Sequence, residues 1–80
     1  MEKELLAPPA FEQLFQAVSH LTRLPVKRLW VDYDPEADVL YLSFERPQQA
    51  TDSEMLDNGV LLRYRGPKLV GVTVFEASKR

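Results

Sequence analysis

Eighty residues, 45% of them hydrophobic and 28% charged, describe one small folded domain. With no cysteine and one histidine, the chain excludes disulfides, thiolate metal sites and histidine metal clusters. A formal net charge of -2 argues against a protein that holds nucleic acid mainly by charge.

The chain opens on Met1-Glu2-Lys3-Glu4, which lacks the basic and apolar regions of a signal peptide, and no apolar run approaches the ~20 residues that span a bilayer. The expected location is the cytoplasm, with no membrane contact. Residues 1–26 read as an N-terminal segment and helix. Pro8-Pro9 suit a first helical turn, where a missing N–H costs nothing. From Ala10 to about Leu24, Phe11, Leu14, Phe15, Val18 and Leu21 fall at steps of three and four and form one apolar stripe. Pro25 closes the helix, because the residue before a proline avoids the α region.

From residue 27 to 80 the period becomes two. Leu29, Val31 and Tyr33 alternate with Arg28, Trp30 and Asp32 in a first strand. Asp34-Pro35 starts a turn, with Asp at its first position and Pro at its second. Val39–Glu45 is a second strand rich in aromatic and branched residues. After a loop broken by Pro47, Thr51–Leu56 is a polar third strand suited to a sheet edge. Asn58-Gly59 marks a hairpin turn into Val60–Arg65. Gly66-Pro67 turns the chain into Leu69–Phe75, and Glu76–Arg80 is a short helix or a frayed end. The expected fold is α+β, a single domain with the N-terminal helix packed on a four- to five-stranded antiparallel meander.

Alternation sorts the strand residues into two faces. Leu29, Val31, Leu40, Leu42, Phe44, Val60, Leu62, Val70, Val72 and Val74 are expected beneath the helix. Trp30, Tyr41, Leu61, Thr73 and Phe75 then share the other face with Asp32 and Arg63. That face is too apolar to stand in water, and one helix cannot cover both. A core this thin leaves stability marginal, and with disulfides and metal clusters excluded, oligomerisation is the remaining remedy. The expectation is a homodimer through this sheet face or through an edge, with Trp30, Tyr41 and Phe75 as contact residues.

Tyr33-Asp-Pro-Glu-Ala-Asp38-Val-Leu-Tyr41, then Gly59-Val60, Val70-Gly71-Val72 and Glu76-Ala77-Ser78, resemble in order and spacing the bacterial family known as domain of unknown function 2283. The resemblance covers residues ~28–78; the N-terminal helix lies outside it. Arg65-Gly66-Pro67-Lys68 departs from the acidic, glycine-containing turn usual in the family at that place. The resemblance implies a small β-rich domain without established enzymatic activity. It also implies an antitoxin-like partner of a RelE-like ribonuclease toxin. Between Asp32 and Asp57 there are eight acids and one base, Arg46, an imbalance that suits a basic partner and places Asp34 and Asp38 among the candidate contact residues.

Candidate chemistry is sparse. Asp32, Asp34, Glu36 and Asp38 recur as the first ligands of a calcium loop do, but Ala37 stands where such a loop needs glycine and Ser43 where it needs glutamate. Turn chemistry is the expectation instead, with Asp34 and Asp38 accepting local backbone N–H groups. Ser19 and His20 are adjacent on a helix and point about 100° apart, so they form no nucleophile–base pair. No cofactor, metal or catalytic residue is expected. Arg63 and Arg65 with Trp30 carry the alternative, a small RNA- or ligand-binding domain. Gly71, inside a strand, marks a bulge or a close approach by another group, with Trp30 or Tyr41 as the ring to cover it.

Overall fold

The computed structural model describes residues 8–80, with side chains from Ala10 onward. Helix α1 (Pro8–Leu21) is followed by β1 (Trp30–Asp34), β2 (Val39–Ser43), β3 (Asp52–Met55), β4 (Val60–Arg65), β5 (Lys68–Phe75) and a 3₁₀ turn, η1 (Ala77–Lys79). The class is α+β, and all five strands join one antiparallel sheet.

The strand order β1-β2-β5-β4-β3 departs from a simple meander. The β1–β2 and β3–β4–β5 segments are each hairpin-connected, and β5 docks beside β2, which gives the β2–β5 portion a Greek-key order. The polarity of β3 explains this. Its sequence, Asp-Ser-Glu-Met, is exposed throughout and takes the edge, as expected for it. The apolar β5 takes the centre, where Val70 is fully buried. Residues 44–51 cross the end of the sheet to make this order possible. At the crossing, Gln48 lies over Gly71 and donates to Ser43 Oγ at 3.0 Å. A Cβ at Gly71 would collide with the Gln48 amide and come within 3.0 Å of the Leu42 carbonyl. The close approach expected at this glycine is therefore made by Gln48, and the ring of Trp30 or Tyr41 is not what covers it. The bulge lies beside it, where the β4–β5 register shifts at Arg63/Tyr64.

Helix α1 forms with the expected stripe but is not packed on the sheet: it makes no substantial contact with any strand. Phe11 and Phe15 stack at 6.3 Å between centroids, yet Phe15 is 63% exposed and Leu14 47%. The molecule measures 43 × 27 × 25 Å, with a radius of gyration of 14.5 Å, where a compact chain of this length has about 12 Å. The helix ends at Leu21, three residues before the expected point. The last turn tightens through Arg23 N to His20 O (3.2 Å) and Leu24 N to Leu21 O (3.1 Å), and Pro25 follows.

The C-terminus is tied down. Arg80 donates through Nη2 to the carbonyls of Asn58 (2.6 Å) and Phe75 (2.8 Å), and through Nε to Phe75 (3.0 Å). It clamps the β3–β4 turn to the end of β5. Gly59 sits in that turn at φ 78°, and a Cβ there would meet Arg80 Nη2 at 2.7 Å. Gly66 is also left-handed (φ 60°), but a Cβ there would enter open space. Replacing either glycine with alanine forces a left-handed alanine, at about 1–2 kcal/mol. Gly59→Ala also displaces Arg80, so thermal melts are expected to show a larger loss of Tm for Gly59→Ala than for Gly66→Ala.

Candidate functional site

Three features of the surface carry chemical or recognition potential. The first is built around Asp38, which leaves the β1–β2 turn at φ 57°. Asp34 behaves as its turn position requires, with Oδ1 accepting from Glu36 N (3.0 Å) and Ala37 N (3.3 Å). Asp38 does not accept the local backbone bonds expected of it. Its carboxylate takes the Tyr33 hydroxyl at 2.7 Å on Oδ1, and Ser78 N (2.9 Å) and Ser78 Oγ (2.8 Å) from forty residues away. Its own carbonyl accepts from Ala77 N at 3.0 Å. The Tyr33 hydroxyl bond is the foremost cause holding the Asp38 carboxyl below its ordinary range, with Ser78 adding to it. In return, the bond to Asp38 pushes the Tyr33 phenol upward. The bonds of Asp34 hold the turn itself, and those of Asp38 fix the hairpin to the C-terminal segment. Among the described residues, no group of three or more His, Cys, Asp or Glu side chains is arranged to hold a metal ion.

The second feature is a sheet face without cover. Across four strands, Val31, Leu42, Val72 and Leu62 stand side by side in register, and Tyr33, Leu40, Val74 and Val60 form a parallel row. All but Tyr33 are expected beneath the helix, yet none is buried: Val31 is 54% exposed, Tyr33 is exposed, and the other six are half-buried. Leu24 and Val26, in the segment after α1, line one side of an apolar groove of about 780 Å³ whose other side includes Phe44, Leu69 and Val72. The opposite face holds Trp30, Tyr41 and Phe75, as expected, together with Asp32 and Arg63. It also holds the buried Val39, Gly71 and Thr73, while Val70, expected beneath the helix, lies at the bulge in β5 and is fully buried. Trp30 and Phe75 are half-buried there, and Tyr41 is exposed.

The third feature is charge segregation, which follows from strand direction. The β1–β2 and β3–β4 turns and η1 lie at one end of the sheet, bringing together Asp34, Glu36, Asp38, Asp57 and Glu76 against Lys79 and Arg80. Lys27, Arg28, Arg46, Arg65 and Lys68 gather at the other end, against Glu45 and Asp52. There Glu45 pairs with both Arg65 and Lys68. Hydrogen bonds from Arg65 first, then Lys68, push the Glu45 carboxyl down to about 2. Arg28, Trp30, Arg46 and Arg65 line a shallow groove of about 420 Å³ at this end. Arg63 is not part of that groove; its Nε is buried without a hydrogen-bond partner among the described residues.

These arrangements belong to a small antiparallel-sheet domain closed by a Tyr–Asp–Ser hydrogen-bond knot between its first hairpin and its C-terminus. Residues 30–78 match the family described as Protein of unknown function (DUF2283), and the chain belongs to that family. Helix α1 lies outside the match. No curated protein and no solved structure matches the chain. Sequence reasoning missed the partnership of Asp38 with Ser78 and the clamp by Arg80. The co-occurrence of Tyr33, Asp38 and Ser78 in one family signature was the available signal for the first.

Asp38→Ala removes all three donors' acceptor and leaves alanine at positive φ. It is expected to lower Tm well beyond Asp32→Ala, whose side chain makes none of these bonds; paired thermal melts check this. Glu45 has a depressed folded-state pKa, so its contribution is present above its ordinary value of 4.5 and is lost as pH falls toward about 2. Glu45→Gln is expected to be less stable than the parent near neutral pH and to converge with it across that window, as denaturant titrations at stepped pH would register.

Proposed function

We propose that this chain is a non-catalytic protein–protein interaction module whose contact surface is the uncovered face bearing Leu40, Leu42, Leu62, Val72 and Val74. The observation that carries this reading is the double row of apolar side chains left in contact with water. An apolar patch of this extent marks an interaction surface in a protein of this kind. Support against catalysis comes from the titratable groups with shifted pKa values. Tyr33, Asp38, Glu45 and Arg65 each owe the shift to an internal hydrogen bond. His20 lies exposed on α1.

The finer reading, an antitoxin-like partner of a RelE-like toxin, rests on the family resemblance and on the acidic end of the sheet. Glu36 and Asp57, exposed in the β1–β2 and β3–β4 turns, are the residues there that fit a basic protein. A second reading draws on the groove of Arg28, Trp30, Arg46 and Arg65, which suits an anionic or single-stranded nucleic-acid ligand. Glu45 neutralises part of that groove through Arg65, and this favours the interaction reading. Binding to a labelled RNA pool that falls steeply with salt would reverse the ranking.

Leu62→Glu places a charge in one of the apolar rows, at its β4 end. It is expected to weaken association at least about thirty-fold, the effect of ~2 kcal/mol at a buried contact. Glu54→Gln, at the edge beyond Leu62, is expected to change association little. Sedimentation velocity over a concentration series reads both, and circular dichroism verifies that the variants are folded. Equal behaviour of the Leu62→Glu variant and the parent would dismiss this surface.

A further inference from the structure

Two apolar surfaces of the same chain lie open, and they match in size. The two rows on the sheet are about 7 Å apart and extend over strands spaced ~4.8 Å. Helix α1, fourteen residues long, measures about 21 Å with a diameter of ~10 Å. Laid across the strands, it spans the rows and covers both. Its stripe of Phe11, Leu14, Phe15 and Val18 is uncharged and exposed, as required of the covering element.

We propose that the partner is a second copy, and that α1 of each protomer lies across the open sheet face of the other in a reciprocal, arm-exchanged dimer. This rests on the interaction reading above and names its occupant. Three observations favour a second copy over a helix folded back on its own sheet. The bonds from Arg23 and Leu24 close the last turn and Pro25 prevents its continuation, so α1 ends before the sheet begins and stands clear of its own strands. Leu24 and Val26 already lie along the end of the same face, so the helix leaves from its rim. The five residues from Pro25 to Leu29, beyond the bonded turn, extend at most ~18 Å, enough to carry the helix to a sheet stacked alongside. Short hinges of this kind are a low-cost route to exchange.

Surface area points the same way. The accessible surface of the chain, 6611 Å², exceeds by about 1,700 Å² that of a compact 9.2 kDa monomer. Each partner of an ordinary dimer buries ~800 Å².

Because the chain is free of cysteine, engineered cross-links read this directly. Phe15→Cys and Val72→Cys are made in separate full-length preparations, mixed, equilibrated and oxidised mildly. Arm exchange predicts a disulfide between the two different variants, at least about ten-fold more abundant than either variant linked to itself. Leu14→Cys with Leu42→Cys is a second pair should the first disturb folding. A chain carrying both substitutions that closes within itself while remaining monomeric overturns the exchange. Val72→Cys linking preferentially to itself overturns it in favour of sheets stacked without a helix between them. Sedimentation separates the two levels of the argument: a dimer without the mixed cross-link removes arm exchange and leaves the interaction surface, whereas a monomer at every concentration removes the self-association on which the exchange depends.

Discussion

The described residues leave one side of the five-stranded sheet largely open, and the rest of this structure follows from which side they cover. The 44–51 crossing and the hairpin-to-terminus knot protect the face of Val39, Gly71 and Thr73. The opposite face receives the rim contacts of Leu24 and Val26 and is otherwise open. Burial of an apolar side chain contributes roughly 1.5–3 kcal/mol, so eight half-covered positions represent a large driving force left outside the single chain. The same constraint gives α1 its character, since an amphipathic helix of fourteen residues derives most of its stability from packing that stripe against something.

Asp38 and Arg80 are the means by which so little chain holds the sheet closed. A two-stranded hairpin is marginal in water, and β1–β2 gains its place by pairing with β5 and by the bonds from Ser78 to Asp38. Arg80 does the same for the β3–β4 turn through three neighbouring carbonyls. Both fasteners act at one end of the sheet. The other end is fastened by ion pairs of Glu45 with Arg65 and Lys68. Surface ion pairs are weak, so the hydrogen-bonded end has the stronger local restraint of the two.

Much of this was legible in the sequence because the signals are local. The period-two runs located all five strands, Asn58-Gly59 located its turn, and the polarity of Asp52–Met55 located an edge. The assignment of the paired residues of β1, β2 and β4, and of Val72 and Val74, to the two faces also held, since alternation determines it; at Val70 the bulge interrupts that alternation. Strand order was not legible: a meander and the observed order use the same turns, and only the burial of β5 distinguishes them. The covering of Gly71 by Gln48 was equally hidden, because it depends on where the 44–51 segment crosses. The helix stripe was correctly placed, but a stripe records that a surface is to be covered and says nothing about which chain supplies the cover.

That last ambiguity has a physical basis. Exchange between identical chains keeps every helix–sheet contact that packing within one chain would make, so selection on those contacts writes the same sequence pattern in both cases. What differs is the hinge. Pro25 ends the helix before the sheet begins, and α1 stands clear of its own strands, with Leu24 and Val26 at the rim of the face. This property lies outside the helix and the face that it governs.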